Sequence, residues 1–251
     1  MQLELAILSR RGGRSYNEDA CGHWHSDSHL CCVVADGAGG HGGGDRASKL
    51  AVQQLISAYA GDTDASPAAI EALIRRTNNA ILDNRIGGTV QENMHTTVVS
   101  LFIDLDAQAA SWGHCGDSRL YAFRGGRIAA MTRDHSLVQS LVDSGLLARE
   151  KVRTHPQRSE LLSALGTGDD ELLVNVSAEP WAVQAGDVFL LCTDGLWEYV
   201  EDDELEAALA AASSPHAWMQ ALEEAVLRNA AHKPSHDNFS ALTVWVSDPA
   251  P

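Results

Sequence analysis

The alternation of apolar and polar residues along the chain predicts a series of short strands. Strand-like runs, rich in β-branched and apolar residues, cover residues 3–8, 30–35, 97–103, 109–115, 119–123, 127–131, 172–176, 188–192 and 241–246. Gly125 and Gly126 stand between two of these runs, and a glycine pair at that position predicts a tight hairpin turn.

Helical spacing of apolar residues falls in blocks between the strands. Ser66-Pro67 and Ser214-Pro215 each predict a helix start, with serine as the N-cap and proline at the first helical position. Further helices are expected over 45–59 and 204–212, and small helices over 136–147 and on toward 165. Helices that come in pairs between groups of strands favour an α+β fold with antiparallel sheets over a regular parallel fold.

Composition narrows the class of protein. The 251 residues are 45% hydrophobic, which suits one domain spanning 1–251, although two small domains remain an alternative. A formal charge of -16 argues against nucleic acid as a partner. No apolar run is long enough for a membrane span, and the first residues do not resemble a signal peptide, so a cytoplasmic protein is expected. The cysteines are odd in number and lack CxxC spacing, which predicts reduced thiols.

Candidate chemistry lies in acidic segments scattered along the chain. Each brings an Asp to a strand end or a glycine turn, and they are residues 14–19, 34–41, 116–119, 193–195 and 236–238. Carboxylates repel one another unless a positive charge lies between them, and Mg²⁺ or Mn²⁺ takes oxygen ligands of this kind. An arginine beside such a cluster, Arg14, indicates an anionic substrate such as a phosphate.

Two of these segments share one layout, in which an apolar strand ends in Asp-Gly. They are Asp36-Gly37 and Asp194-Gly195. Asp-Gly is also common at ordinary strand-to-turn junctions, so a single instance would carry little weight. Two instances, together with Glu18, Asp117 and Asp237, favour a metal site.

The ordered set of motifs resembles the PP2C-type (PPM family) metal-dependent protein serine/threonine phosphatases of the compact bacterial kind. The resemblance runs from about Arg14 to Val246. The matching residues are Arg14-x-x-Asn17-Glu18-Asp19, Asp36-Gly37-x-Gly39-Gly40-His41, Thr96-Thr97, Gly116-Asp117-Ser118-Arg119-x-Tyr121, Asp134-His135-Ser136, His155-Pro156-Gln157-Arg158-Ser159, Thr193-Asp194-Gly195-Leu196 and Asp237-Asn238.

The resemblance implies an αββα four-layer sandwich, with two central, mainly antiparallel sheets flanked by helices. It also implies two to three Mn²⁺ or Mg²⁺ ions and hydrolysis of phosphoserine or phosphothreonine by a metal-activated water. Phosphorylated proteins would be the substrates, a Ser/Thr kinase the opposing enzyme, and the protein a monomer. Residues 134–170 match the variable flap beside the family's active site, which is a candidate substrate contact.

The resemblance also assigns roles to single residues. Asp36 would bridge two metal ions. Asp194 and Asp237 would complete the first metal site, and Glu18 with the Gly37 carbonyl would serve the second. Asp19 would be a ligand or a partner of one, Asp117 would hold a third ion with Asp194, and Arg14 would grip the substrate phosphate.

Other readings of these residues stay open at this level. Cys115 lacks an arginine six positions on, which weighs against a cysteine phosphatase, and neither Ser118 nor Ser136 lies in a G-x-S-x-G elbow. His23, His25 and His29 are expected in a solvated loop rather than at a zinc site.

The glycine run 39–44 lacks the Lys-Ser/Thr of a nucleotide-binding loop. His41 within it is expected either to contact a ligand or to be structural.

Two departures from the family pattern concern catalysis. Ala38 stands where some relatives carry a histidine proposed as a general acid, so no acid is assigned. His95 replaces the usual glycine before Thr96-Thr97 and is expected to alter the local backbone or access. A catalytically silent phosphoprotein-binding domain and a hydrolase of small phosphate esters are the competing hypotheses.

Overall fold

The structure is a computed structural model that describes residues 1–38, 43–233 and 235–248. The strands are β1 Gln2–Arg10, β2 Ala20–His25, β3 His29–Ala35, β4 Gly37–Ala38, β5 His95–Thr96, β6 Val98–Asp104, β7 Ala109–Cys115, β8 Arg119–Arg124, β9 Arg127–Met131, β10 Asn175–Val176, β11 Trp181–Ala182, β12 Val188–Cys192 and β13 Phe239–Ser247. The α-helices are α1 Gly44–Gly61, α2 Pro67–Asp83, α3 Leu137–Asp143, α4 Asp194–Trp197, α5 Asp202–Ala211 and α6 Pro215–Ala230. Short 3-10 turns occupy Val90–Asn93 and Arg149–Thr154.

Two antiparallel sheets form the centre of the molecule. The first has the order β1-β13-β12-β8-β9, and the second has the order β10-β7-β6-β3-β2, with β11 also paired to β7. One apolar core lies between the sheets, a second packs α4, α5 and α6 against the first sheet, and a third packs α1 and α2 against the second sheet. This arrangement confirms the αββα sandwich.

Strand β3 shows why both faces of a central strand are apolar. Cys32 and Val34 face the core between the sheets, whereas Cys31 and Val33 face α1 and α2. Successive side chains of a strand point to opposite faces, so the adjacent cysteines enter different cores. All five cysteines are free.

Local signals fixed several element ends as expected. Ser66 Oγ accepts a hydrogen bond from the Ala69 amide at the start of α2, and Ser214 Oγ accepts one from Ala217 at the start of α6. Gly125 and Gly126 both have positive φ and join β8 to β9 in a two-residue turn, as predicted.

Other element predictions were wrong. The histidines expected in a loop lie in strands: His23 and His25 are in β2, and His29 is the first residue of β3. β2 is the edge strand of its sheet and can present polar side chains to solvent. The strand expected over 172–176 is reduced to β10, and residues 155–165 form turns and isolated β-bridges rather than a helix. No helix among the described residues is both long and apolar enough to cross a bilayer.

Candidate active site

Asp36 lies directly after β3, where hydrogen bonds from the next strand fix its backbone. The Thr97 amide donates to the Asp36 carbonyl at 2.8 Å, and the Asp36 amide donates to Thr97 Oγ1 at 3.1 Å. Thr96 Oγ1 also donates to the Asp36 carbonyl, at 2.7 Å. Because every backbone group here has a partner, the Asp36 carboxyl group is held at the mouth between the sheets.

Asp194 and Asp237 reach the same place from the first sheet. Asp194 is the first residue of α4, so the expected turn after β12 is a short helix, and Asp237 precedes β13. Gly195 permits this approach, because a Cβ at that residue would lie 1.9 Å from the Asn238 carbonyl oxygen.

Glu18 and the Gly37 carbonyl come together beside Gly44. A Cβ on Gly44 would lie 2.5 Å from Glu18 Oε1 and 2.8 Å from the Gly37 oxygen, so only glycine fits there. Both backbone groups of Glu18 are hydrogen-bonded. Its amide donates to Asn238 Oδ1, and its carbonyl accepts from Ser48 Oγ. A carboxylate oxygen and a carbonyl oxygen therefore border one small space.

Asp117 occupies the turn from β7 to β8. Gly116 has a φ of 101°, a left-handed backbone conformation that favours glycine. The Trp197 indole donates to the Asp117 carbonyl at 2.9 Å, and Thr97 Oγ1 meets Ser118 Oγ at 2.7 Å. These contacts join the Asp117 turn to α4 and to the residue that fixes Asp36.

Five of the predicted carboxylates, with the Gly37 backbone and Arg14, line one cavity of about 270 Å³. Its lining residues are Arg14, Glu18, Asp36, Gly37, Ala38, Thr97, Asp117, Ser159, Leu161, Asp194, Asp237 and Asn238, and among these the four Asp residues and Glu18 carry the negative charge. The segments predicted to converge therefore do converge.

Asp19 is placed differently. It does not line the cavity but is buried behind Asp36, where Thr193 Oγ1 donates to Asp19 Oδ2 at 3.0 Å. Burial raises the pKa of Asp19 to about 7, an effect that its hydrogen bonds with Ser240 and Thr193 partly oppose. This position suits a partner of Asp36 better than a direct ligand.

Arg14 extends over the cavity mouth and contacts Asp237. Its Nη2 lies 2.5 Å from Asp237 Oδ2, and both side chains are about half exposed. An exposed pair of this kind contributes little to stability, so a more highly charged anion can compete for the guanidinium.

The electrostatics of the cavity show how unfavourable the gathered carboxylates are by themselves. Burial, and then the charges of Asp19 and Asp194, raise the pKa of Asp36 well above its ordinary range. Burial and Asp194 do the same for Asp117, and burial and Glu198 raise the pKa of Asp194 to about 7. A divalent cation would remove this penalty.

The donor set fits such a cation in chemistry. Its oxygens are carboxylates and a backbone carbonyl, the ligands preferred by Mg²⁺ and Mn²⁺. Asp194 Oδ1 is buried and meets no hydrogen-bond donor group among the described residues, while its close neighbour is the Asp36 carboxyl. Among the described residues, no three His, Cys, Asp or Glu side chains are grouped closely enough to hold an ion by themselves.

The flap predicted over 134–170 borders the cavity through Ser159 and Leu161. Its first residues are fixed to the Asp117 turn, because the Gly116 amide donates to His135 Nδ1 at 3.1 Å and the His135 amide donates to the Gly116 carbonyl at 2.9 Å. Near its other end, Leu165 forms a β-bridge with Thr96. Both anchors lie next to residues of the cavity.

The two departures from the family pattern have definite places. Ala38 pairs with His95 in the β4–β5 ladder and offers no proton to the cavity that it lines. The Arg85 guanidinium contacts the His95 ring and donates to the carbonyls of Met94 and Gly166. His95 thus belongs to the contacts that hold the end of the flap.

The thiol of Cys115, the nucleophile of the alternative cysteine mechanism, is unreactive. Burial raises the pKa of the Cys115 thiol to about 12, so it stays protonated near neutral pH. The predictions for Gly39, Gly40 and His41 concern residues that the structure does not describe.

Sequence reasoning missed the residues that support the carboxylates. Thr97 and Asn238 lie within the matching motifs, but the motifs assign them no role, and Leu161 lies within the predicted flap without a role of its own. Asn238 donates to the carbonyls of Arg11 and Tyr16 and so ties the Arg14 loop to β13. Its position next to Asp237 was the available signal.

Comparison with known proteins supports this picture. The family model described as "Protein phosphatase 2C" matches residues 9–233. The serine/threonine protein phosphatase PstP of Mycobacterium tuberculosis is 35% identical over 213 residues, covering 82% of this chain and 39% of PstP. The chain thus spans well under half of that relative. The serine/threonine phosphatase stp of Listeria monocytogenes is 34% identical over 202 residues, 78% of each chain.

A solved structure extends the match to the whole fold. The catalytic domain of PstP in complex with two manganese ions superposes with a TM-score of 0.80 at 29% identity, covering 98% of this chain and 99% of the other. The αββα arrangement is therefore shared along nearly the entire length.

Proposed function

Because this chain belongs to the protein phosphatase 2C family, we propose that it is a metal-dependent phosphatase that hydrolyses phosphoserine and phosphothreonine in proteins. The observation that carries the proposal is the cavity in which Glu18, Asp36, Asp117 and Asp194 meet beneath Arg14. Separate segments of the chain supply these groups, and a domain that only bound phosphoproteins would not need so many buried carboxylates.

The carboxylates would hold two to three Mn²⁺ or Mg²⁺ ions. Asp36, Asp194 and Asp237 would hold one ion, and Asp36, Glu18 and the Gly37 carbonyl would hold another. Asp117, with Asp194, would hold a third. When bound, such ions lower the pKa of a water molecule and offset the charge of the phosphoryl group.

Arg14 would bind the substrate phosphate. Its planar guanidinium can donate to two phosphoryl oxygens at once, which a lysine cannot match. The phosphate would replace Asp237 as its partner, leaving the Asp237 carboxylate available as a ligand. No side chain is assigned to protonate the departing serine or threonine oxygen, since Ala38 cannot do so.

The setting of the enzyme is also a proposal. We propose a single domain over 1–251 with a flap at 134–170 that contacts the phosphoprotein. The expected partners are phosphorylated proteins and a Ser/Thr kinase whose products this chain dephosphorylates. A cytoplasmic monomer is the proposed form.

The test is release of phosphate from a phosphothreonine peptide in the presence of Mn²⁺, with p-nitrophenyl phosphate as a second substrate. Asp36→Asn should lower turnover by about two orders of magnitude or more, in line with loss of transition-state charge stabilisation. Asp106→Asn makes the same chemical change on an exposed turn and should leave turnover intact.

Calorimetric titration with Mn²⁺ separates binding from catalysis. Asp36→Asn should weaken Mn²⁺ binding as well as turnover. Full activity in Asp36→Asn would refute the assignment of Asp36. Turnover of p-nitrophenyl phosphate without turnover of any phosphopeptide would favour a small phosphate ester as the substrate.

A further inference from the structure

A second cavity, of about 400 Å³, opens beside the carboxylate cavity. The two share Arg14, Ser159, Asp194 and Asp237 in their common wall. The second cavity is lined in addition by Arg158, Glu198, Tyr199, Lys233, Ser235 and His236. A peptide whose phosphorylated residue enters the first cavity would therefore place neighbouring residues over the second.

The cations of this second cavity differ in what they contact. Arg14 is paired with Asp237, and Arg158 is paired with Glu198 at 2.8 Å. Lys233 is within ion-pair distance of no carboxylate among the residues that the structure describes. Lys233 is thus the cation of the lining whose ammonium group no described carboxylate contacts.

The Lys233 ammonium is nevertheless held in place. It donates to the Tyr199 hydroxyl at 3.0 Å and lies 4.3 Å from the centre of the Tyr199 ring. Tyr199 is itself buried against the core of the first sheet, and Asn229 donates to its carbonyl. A cation–π contact together with a neutral hydrogen bond orients the ammonium and leaves its full charge and its other protons for a ligand.

We propose that Lys233 forms a specificity subsite for an acidic side chain of the substrate protein, close in sequence to the phosphorylated residue. The proposal rests on the phosphatase function proposed above and adds the class of substrate. Side chains of an extended peptide two positions apart are ~7 Å apart on one side, so an acidic residue near the phosphorylated position can reach a cavity that shares a wall with the first. The expected preference is modest, because Lys233 is exposed and salt screens the interaction.

The experiment compares phosphothreonine peptides that carry one Glu, or the matching Gln, at each position from about three before to three after the phosphothreonine. In the unmodified protein, kcat/KM should favour Glu by about twofold to fivefold at one or two positions, the range expected for an exposed ion pair. The preference should shrink at high salt.

Variants of Lys233 test whether this residue causes the preference for Glu peptides. Lys233→Met should abolish the Glu preference, Lys233→Arg should retain it, and Lys233→Glu should invert it in favour of Gln. Lys49→Met removes the same charge from the exposed face of α1, where Lys49 pairs with Asp45, and should keep the preference.

Equal kcat/KM for Glu and Gln peptides at every position would overturn the subsite. So would a preference that persists unchanged in Lys233→Glu. Hydrolysis of p-nitrophenyl phosphate and of the Gln peptides by the unmodified protein tests the phosphatase function separately. If neither is hydrolysed, the proposed function fails; if both are hydrolysed without a Glu preference, only the subsite fails.

Discussion

Among the glycines of the site, Gly195 leaves the least room for an added Cβ. The space for its Cβ is filled by the carbonyl group of Asn238, so the residues that follow Asp194 and Asp237 touch directly. A side chain here would push α4 away from β13 and separate two proposed ligands.

We expect Gly195→Ala to destabilise the protein by about 1–3 kcal/mol, the usual cost of forcing an extra carbon into a packed site. Mn²⁺ binding should weaken as well. Chemical denaturation and calorimetric titration measure the two effects. Gly61→Ala at the end of α1 has nothing within 4 Å of the new Cβ and should not weaken Mn²⁺ binding. Normal Mn²⁺ affinity in Gly195→Ala would show that the contact does not position the ligands.

For Arg14 we expect a defect in substrate binding. Arg14→Ala should lower kcat/KM on phosphopeptides by about tenfold or more, since a hydrogen bond to a charged group contributes about 1.5–3 kcal/mol. Arg14→Lys should recover only part of this, because lysine lacks the planar fork. Unchanged kinetics in Arg14→Ala would remove Arg14 from the phosphate site.

For single residues, the sequence identified the acidic side chains of the site but not the side chains that hold their backbone in place. Asp36 and Asp194 stand out because the same layout, an apolar strand ending in Asp-Gly, occurs twice in the chain. Thr97, Ser118 and Asn238 do not, because threonine, serine and asparagine serve in many turns and caps. Only the fold brings their hydroxyl and amide groups to the carboxylates.

Between elements, Arg119 is the main link. Its guanidinium forms two hydrogen bonds with Asp134, at 2.9 Å and 2.7 Å, and its Cζ lies 3.5 Å from the centre of the Trp197 ring. Through these contacts β8 joins the first residue of the flap to α4. The Trp197 indole in turn donates to the Asp117 carbonyl, so the contacts of Arg119 help to position Asp117.

Loss of this link should be costly. Arg119→Met leaves the buried Asp134 carboxylate without its partner, and we expect a loss of about 3–5 kcal/mol in the free energy of unfolding. Arg75→Met, which breaks an exposed pair with Glu71 on α2, should cost about 0.5 kcal/mol or less. Urea denaturation of the two variants gives the comparison; equal losses would contradict the structural role of Arg119.

Element prediction succeeded where a local signal decided the outcome. The Ser-Pro starts of α2 and α6 and the Gly-Gly turn depend on neighbouring residues alone. The prediction failed at β2, whose polar residues His23 and His25 face outward because of the strand's position at the sheet edge. Sheet position is a tertiary property that the segment itself does not encode.

Considered as a whole, the molecule concentrates part of its -16 charge in one cavity. Burial raises the pKa of Asp194 from 3.8 to about 7 in the metal-free protein. The folded protein therefore retains a proton that the unfolded chain has already released, and stability falls as the pH rises from about 4 to about 7.

We accordingly expect the EDTA-treated protein to unfold at a lower temperature at about pH 8 than at about pH 5.5. Mn²⁺ should raise the unfolding temperature more at the higher pH, because there it meets ionised carboxylates without having to displace protons. Differential scanning calorimetry checks both effects. Asp194→Asn should reduce the pH dependence; an identical Mn²⁺ effect at both pH values would contradict the account.

The apolar faces of strand β3 affect how the register of the second sheet is fixed. Strand β3 is apolar on both faces. A shift of its register by one residue would therefore place one apolar face where the other had been, at little cost in burial. The hydrogen bonds between Asp36 and Thr97 penalise such a slip. Each residue of sliding would carry the Asp36 carboxyl ~3.3 Å from its place. A chain misaligned in this way would bury its core almost as well but would lack the carboxylate cavity, so the polar end of this strand selects the register of the sheet and the position of the site together.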